Sequence, residues 1–215
     1  PKNPLTVFAA TSEGTYRSLN GGTTFTRVDS TLMAMDVAID PVDTTLVFIA
    51  CGQRNTAQKS GLYRSTNGGT SFTIMAGGLP ASNIGRTCLT ISASLHTTLY
   101  ASIANAVNHT TLGVYRSTNS GDTWESMSSA DFMNGQGWYD NVAAVSPADP
   151  ALLFTSGLDL YRSTSGGSSP VQRTFWYKAV SGIITPGGAE GSDNTYVHAD
   201  HHAILFDPEN PARIF

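Results

Sequence analysis

The residues best equipped for chemistry crowd into one short stretch near the end of the chain. His198, Asp200, His201 and His202 fall within five residues and include three of the five histidines in the sequence. In an extended strand His198, Asp200 and His202 share one face, because successive side chains alternate. Such a face can offer two imidazoles and a carboxylate to a metal ion, or a carboxylate whose proton affinity its neighbours set. The same residues also describe a hydrogen-bonded strand entry with no ligand, and our reading assigns no metal and no cofactor. A second carboxylate, Asp140, follows Trp138 and Tyr139, whose rings can stack on sugar faces or anchor a partner protein. Asp200 and Asp140 form the one pair to propose as the carboxylates of a glycoside hydrolase, which stand about 5–9.5 Å apart according to mechanism. Arg86 and the three histidines complete the candidate binding set with Trp138 and Tyr139.

Composition narrows the partners. The 215 residues carry a net charge of -4, and 13% of them are charged, which gives no basic footprint for nucleic acid or an anionic membrane. No apolar run approaches the roughly 18 residues needed to cross a bilayer as a helix, so no membrane insertion is expected. Two cysteines, Cys51 and Cys88, make neither a disulfide scaffold nor a zinc site. Whether they pair, or remain buried thiols, is open at this stage.

The elements that position these residues follow from internal repetition, the first thing to seek in such a sequence. Four segments align without gaps: Tyr16–Phe25 (YRSLNGGTTF), Tyr63–Phe72 (YRSTNGGTSF), Tyr115–Trp124 (YRSTNSGDTW) and Tyr161–Pro170 (YRSTSGGSSP). Their starts are 47, 52 and 46 residues apart, a period that points to propeller blades or a similar array. Between them recur turns at Asp40–Asp43, Ser146–Pro150 and Asp207–Pro211, with Ser92–His96 in the equivalent place without proline. Short runs rich in β-branched and aromatic residues flank each turn, as suits buried strands. One unit therefore reads as inner strand, turn, second strand, loop, third strand ending in Tyr-Arg-Ser, glycine turn and fourth strand. The fold class is all-β, a propeller of four-stranded antiparallel blades.

Turn chemistry explains the repeated residues. Gly22, Gly69 and Gly121 permit the positive φ of a tight hairpin. Asn20, Asn67 and Asn119, with Ser18, Ser65 and Ser117, can bond the turn's own backbone. Phe25, Phe72 and Trp124 are expected to anchor each hairpin in the blade core. We read these residues as a structural device, not a ligand site.

The four segments resemble the Asp-box (BNR) repeat, Ser-x-Asp-x-Gly-x-Thr-Trp/Phe, with Asn20, Asn67, Asn119 and Ser165 where the family has Asp and Pro170 in place of the last aromatic. That family includes sialidases, family 74 xyloglucanases, sortilin-type receptors and photosystem assembly factors, so the resemblance implies a propeller and not one function. The stretch from His198 to Pro211 is also similar to a segment of exported, BNR-like "glycosyl hydrolase" proteins. An extracellular, periplasmic or cell-surface location follows from the resemblance.

The expected units are 1–30 (partial), 31–79, 80–130, 131–182 and 183–215 (partial), a single propeller portion of about four blades from a ring of seven or more. Open blade edges would invite self-association. Aligning the inner strands puts Met33–Asp36, Gly85–Cys88, Tyr139–Val142 and Asp200–Ala203 at one end of the ring. The polar members of that mouth are Asp36, Arg86, Asp140, Asn141, Asp200, His201 and His202. The expected activity is binding of a polysaccharide or an extracellular protein. The alternative is a xyloglucanase-like glycoside hydrolase using Asp140 and Asp200. A sialidase is less favoured because its three-arginine clamp has no evident counterpart, and no basic patch supports an assembly factor.

Overall fold

A computed structural model describes residues 2–52, 60–180, 183–186 and 197–215. Of the expected units, 53–59 in the second, 181–182 in the fourth and 187–196 in the last lie outside the described residues. Among those described there is no helix, and so none long and apolar enough to cross a membrane.

The strands form successive antiparallel sheets in chain order. The first sheet has three strands, β1 (Val7–Thr11), β2 (Gly14–Ser18) and β3 (Thr26–Asp29). The second is β4 (Ala34–Ile39), β5 (Val47–Cys51), β6 (Gly61–Ser65) and β7 (Thr73–Met75). The third is β8 (Ile84–Ile91), β9 (Leu99–Asn105), β10 (Thr111–Ser117) and β11 (Glu125–Ser128). The fourth is β12 (Val142–Val145), β13 (Leu153–Ser156), β14 (Leu160–Ser163) and β15 (Val171–Gln172). Each sheet is an up-and-down meander, and β4 packs against β1 and β8 while β12 packs against β8 and β9. Leading strands lie against one another, so the sheets fan out as the blades of a β-propeller.

Two differences from the sequence reading stand out. A hairpin of β16 (Tyr177–Val180) and β17 (Ile183–Pro186) lies outside the four-strand pattern. The strand expected through Asp200–Phe206 is absent. Only Phe206 pairs with Ile214, with the Leu205 and Phe215 backbones exchanging bonds of 2.8 and 2.9 Å. Asp200 takes φ 72°, which breaks the alternation that would have put His198, Asp200 and His202 on one face.

The cores lie between sheets, so central strands are apolar on both faces. Along β5, Phe48 and Ala50 pack toward the third sheet with Leu89, Leu99, Ile103 and Trp124. Their neighbours Ile49 and Cys51 pack toward the first with Ala10, Tyr63 and Phe72. On β9, Leu99, Ala101 and Ile103 face back, while Tyr100 and Ala104 face the fourth sheet with Val114, Phe132, Met133 and Leu153. Both periods of the pleat are thereby used.

The repeat turns join the sheets. In the second, the Ser65 hydroxyl accepts from Asn67 and Gly69 N–H at 3.2 and 2.8 Å and donates to Asn67 Oδ1 at 2.9 Å. Asn67 Oδ1 also accepts from the N–H of Thr70 and Ser71, 3.0 Å each. Ser18 with Asn20, and Ser117 with Asn119, repeat this network. In the fourth turn Ser163 keeps its bonds to Ser165 and Gly167 N–H, but Ser165 takes the place of the amide and closes onto Ser168.

The second and third turns also dock on the sheet before them, and an arginine of that sheet caps each. Arg17 donates to Gly68 O at 2.6 Å, and Arg64 donates to Ser120 O at 2.7 Å while pairing with Asp122. Gly121 shows how close the approach is: at φ 88°, a Cβ there would lie 2.6 Å from Met75 Sδ and 3.4 Å from the Phe48 ring. This docking corrects the expected role of the closing aromatics. Trp124 is buried and Phe72 half-buried against the preceding sheet's neighbourhood, but Phe25 is 43% exposed. Among the described residues no sheet packs on the first turn at Phe25.

Candidate functional site

In a meander whose strands run up and down, the start of the leading strand and the loop between the second and third strands lie at the same end. The glycine turns and the proline turns lie at the other. At the first end Met33, Met35, Gly85, Arg86, Ala104, Asn105, His109, Trp138 and Tyr139 line a cleft of about 350 Å³. It spans the entries of β4 and β8, the β9–β10 loop and the segment leading into β12. A larger groove of about 630 Å³ lies at the opposite end, between the first two sheets. Turn residues line it, including Ile39, Pro41 and Gly68, and its Lys2 ammonium already donates to Val42 O.

The aromatic wall is held from beneath. Phe132 and Met133 are buried in the core between the third and fourth sheets. Asp131 Oδ1 accepts from the N–H of Thr111, Met133 and Asn134 at 2.9–3.2 Å, tying the segment to β10. Gly137 N–H donates to His109 O at 2.8 Å. From this base Trp138 and Tyr139 project 49% and 42% exposed, their ring centroids 5.4 Å apart and their planes tilted by 43°. His202 meets the Tyr139 ring edge-on at 4.6 Å.

Beneath the wall lie polar groups removed from solvent. Asp140 has no exposed surface, and neither carboxylate oxygen has a hydrogen-bond partner. Burial pushes its carboxyl up to about 7, helped by the charge of Asp200 and opposed by its own backbone N–H and by Arg86. Ser156 donates to Asp159 O at 2.9 Å, so the hydrogen bond it shares with His201 Nδ1 is donated by the imidazole. The buried Nε2 of His201 then carries a bare lone pair with no partner. Burial pulls His201 below the ordinary histidine value, against the influence of the His198 backbone, Asp159 and Asp200. Asp159 accepts from Trp176 N–H and the Gln172 amide at 2.8 and 2.9 Å, and burial raises its carboxyl.

Of the residues singled out from the sequence, Arg86, Trp138 and Tyr139 line one cleft, and His202 touches its wall. Asp140 and His201 sit buried behind it, and Asp200 is half-buried and close enough to bias Asp140. His198 is exposed and bonds Ala199 O at 2.8 Å. Among the described residues no three His, Cys, Asp or Glu side chains gather as a metal-binding group. Two other mouth residues staple sheets together. Asp36 accepts from Val37 and Leu89 N–H at 2.8 and 2.7 Å, and Asn141 bonds Ser102 and Arg86 O at 2.7–2.9 Å. Cys51 and Cys88 are free thiols, both pushed up to about 12 by burial.

Sequence reasoning placed Met33–Asp36 at this end but missed Asn105 and His109. The strand-and-loop geometry carried the signal, because the second-to-third loop of the third sheet opens at the same end as the β8 entry.

Comparison with known proteins supports the fold and stops there. No protein-family model and no curated protein matches the chain. Among solved structures, an ancestral GH74 enzyme superposes with a TM-score of 0.63 at 20% identity, over 80% of this chain and 24% of that one. A GH74 enzyme from Niastella koreensis gives 0.60 at 21%, over 80% and 28%. The GH74 xyloglucanase from Xanthomonas campestris gives 0.55 at 18%, over 78% and 27%. The chain spans about a quarter of the length of these enzymes. Its fold is a portion of a β-propeller.

Proposed function

We propose that this chain is part of an extracellular or periplasmic Asp-box propeller that binds a carbohydrate chain at the cleft between Arg86 and Trp138. The observation that carries the reading is the pair of exposed rings, Trp138 and Tyr139, set in a concave wall beside Arg86, Asn105 and His109. Sugar rings present apolar C–H faces and polar edges, and an aromatic wall with a few hydrogen-bonding groups suits both. The shared fold of GH74 enzymes, one of them named as a xyloglucanase, is consistent with a glycan ligand. A folded protein segment is the other occupant such a wall can take.

Hydrolysis draws on one observation, the carboxyl of Asp140 raised to about 7 next to Asp200, as a general acid requires. The same carboxyl has no exposed surface, so a chain lying on Trp138 does not reach it. Binding is therefore the preferred reading.

The test is affinity electrophoresis of the protein through gels cast with single polysaccharides. Retardation in at least one, lost in Trp138→Ala with an unchanged melting temperature, supports the reading. Equal mobility of both proteins in every retarding gel sinks it.

A further inference from the structure

The cleft holds one charge that no contact within the described protein neutralises. Arg17, Arg64, Arg116 and Arg213 each place their guanidinium on a carbonyl or a carboxylate. Arg86 lines the cleft, half-buried, and among the described residues its guanidinium has no hydrogen-bond or ion-pair partner. Two carboxylates lie within its field, but neither makes a hydrogen bond or ion pair with it. Asp36 accepts instead from the backbone N–H groups of Val37 and Leu89. Asp140 is sealed from the cleft, and its burial favours the neutral acid. The rest of the lining is uncharged or aromatic apart from His109: Met33, Met35, Ala104, Asn105, Trp138 and Tyr139.

A cation in a concave, partly desolvated wall attracts an anion more strongly than one in open water. The planar guanidinium fork matches a carboxylate with two parallel N–H···O bonds. A neutral glucan offers hydroxyls only and covers Arg86 without a counter-ion, which costs desolvation. The geometry points to an acidic sugar as the ligand: a uronic-acid unit lying against Trp138 and Tyr139 with its carboxylate on Arg86. This inference rests on the carbohydrate-binding reading and names the class of sugar. The paired rings favour a sugar over an acidic peptide, because two adjoining, half-exposed ring faces can each stack on the C–H face of a sugar.

Calorimetric titration tests it with three probes: a galacturonic-acid oligosaccharide, the same oligosaccharide fully methyl-esterified, and a neutral gluco-oligosaccharide. The acid form binds about tenfold or more tighter than its ester, the scale of a charge-assisted bidentate contact. The gap closes in Arg86→Gln, is partly kept in Arg86→Lys, and shrinks in wild type as salt rises from about 20 to about 300 mM. The salt series tests the charge even if Arg86→Gln does not fold. Equal affinity for acid and ester, or a gap that survives Arg86→Gln, overturns the inference. If neutral sugar still binds through Trp138 in that case, the carbohydrate reading stands alone. No binding of any sugar overturns both, and tighter binding of a poly-glutamate peptide than of the uronate overturns the choice of a sugar.

Discussion

Replacing Asp140 with Asn removes a buried acid whose charge the fold disfavours, and the effect must appear as a change in pH dependence. Burial holds the carboxyl at about 7 in the folded protein, against an ordinary value of 3.8. Between those values the folded state binds the proton and the unfolded state does not, so stability falls as pH rises. Below the unfolded value both states are protonated, and above the folded value both are ionised, so the slope lies only in between. From pH 5 to pH 7 the loss is about 2 kcal/mol, because the slope of about 1.4 kcal/mol per unit fades as pH nears the folded value. For a chain of this size that is roughly 4–8 °C in melting temperature. Asp200, Arg86 and His201 titrate or carry charge nearby in both proteins, so the double difference isolates Asp140. Calorimetric melting of wild type and Asp140→Asn at pH 5 and pH 8 measures it. The variant's amide brings its own unsatisfied buried groups, but that penalty is the same at both pH values. Wild type should lose ground to Asn as pH rises. Parallel behaviour of the two proteins would refute the argument that the carboxyl is held neutral by burial.

Two further outcomes follow from the joints between sheets. Gly121→Ala meets Met75 and Phe48 at a positive φ, and should cost about 2–4 kcal/mol, read as a lower denaturant midpoint. Cys51, buried, and Cys88, half-buried, both pushed up to about 12, should react slowly with a thiol reagent at pH 8 in the native protein, Cys51 the slower, and in full after unfolding; rapid native labelling of Cys51 counts against the packing of β5.

The blades were legible because two periodicities coincide: alternation within β5 and β9, and the Tyr-Arg-Ser turn recurring about every fifty residues. The mouth was legible in part, since strand entries in a meander fix which end a residue occupies, and Arg86, Trp138 and Tyr139 all reach the cleft. Burial was not. Nothing in the residues around Asp140 marks it as sealed, because the buried Phe132–Met133 base and the bond from Gly137 to His109 are long-range contacts. The chain from Asp200 onward misled for a local reason. An alternating pattern predicts a strand, but a single residue at φ 72° and the lack of an adjoining full strand leave it irregular. Phe25 shows the converse: its own turn is built like the others, and its exposure depends on a neighbouring sheet.

The arginines that reach forward from the first and second sheets to the next turn give those two joints the same polarity. Arg17 grips the turn after β6 and Arg64 the turn after β10, always from the earlier sheet to the later one. Such a chain behaves as a row of nearest-neighbour links, in which each joint contributes its own coupling free energy. The cleft is built across two of those links, with Met33 and Met35 on the second sheet, Arg86 on the third and Trp138 on the approach to the fourth. A molecule held there touches three sheets at once and works as a cross-brace. Its affinity and the cooperativity of unfolding across those sheets are then two readings of one linkage, so saturating ligand should merge their melting into a single sharper transition.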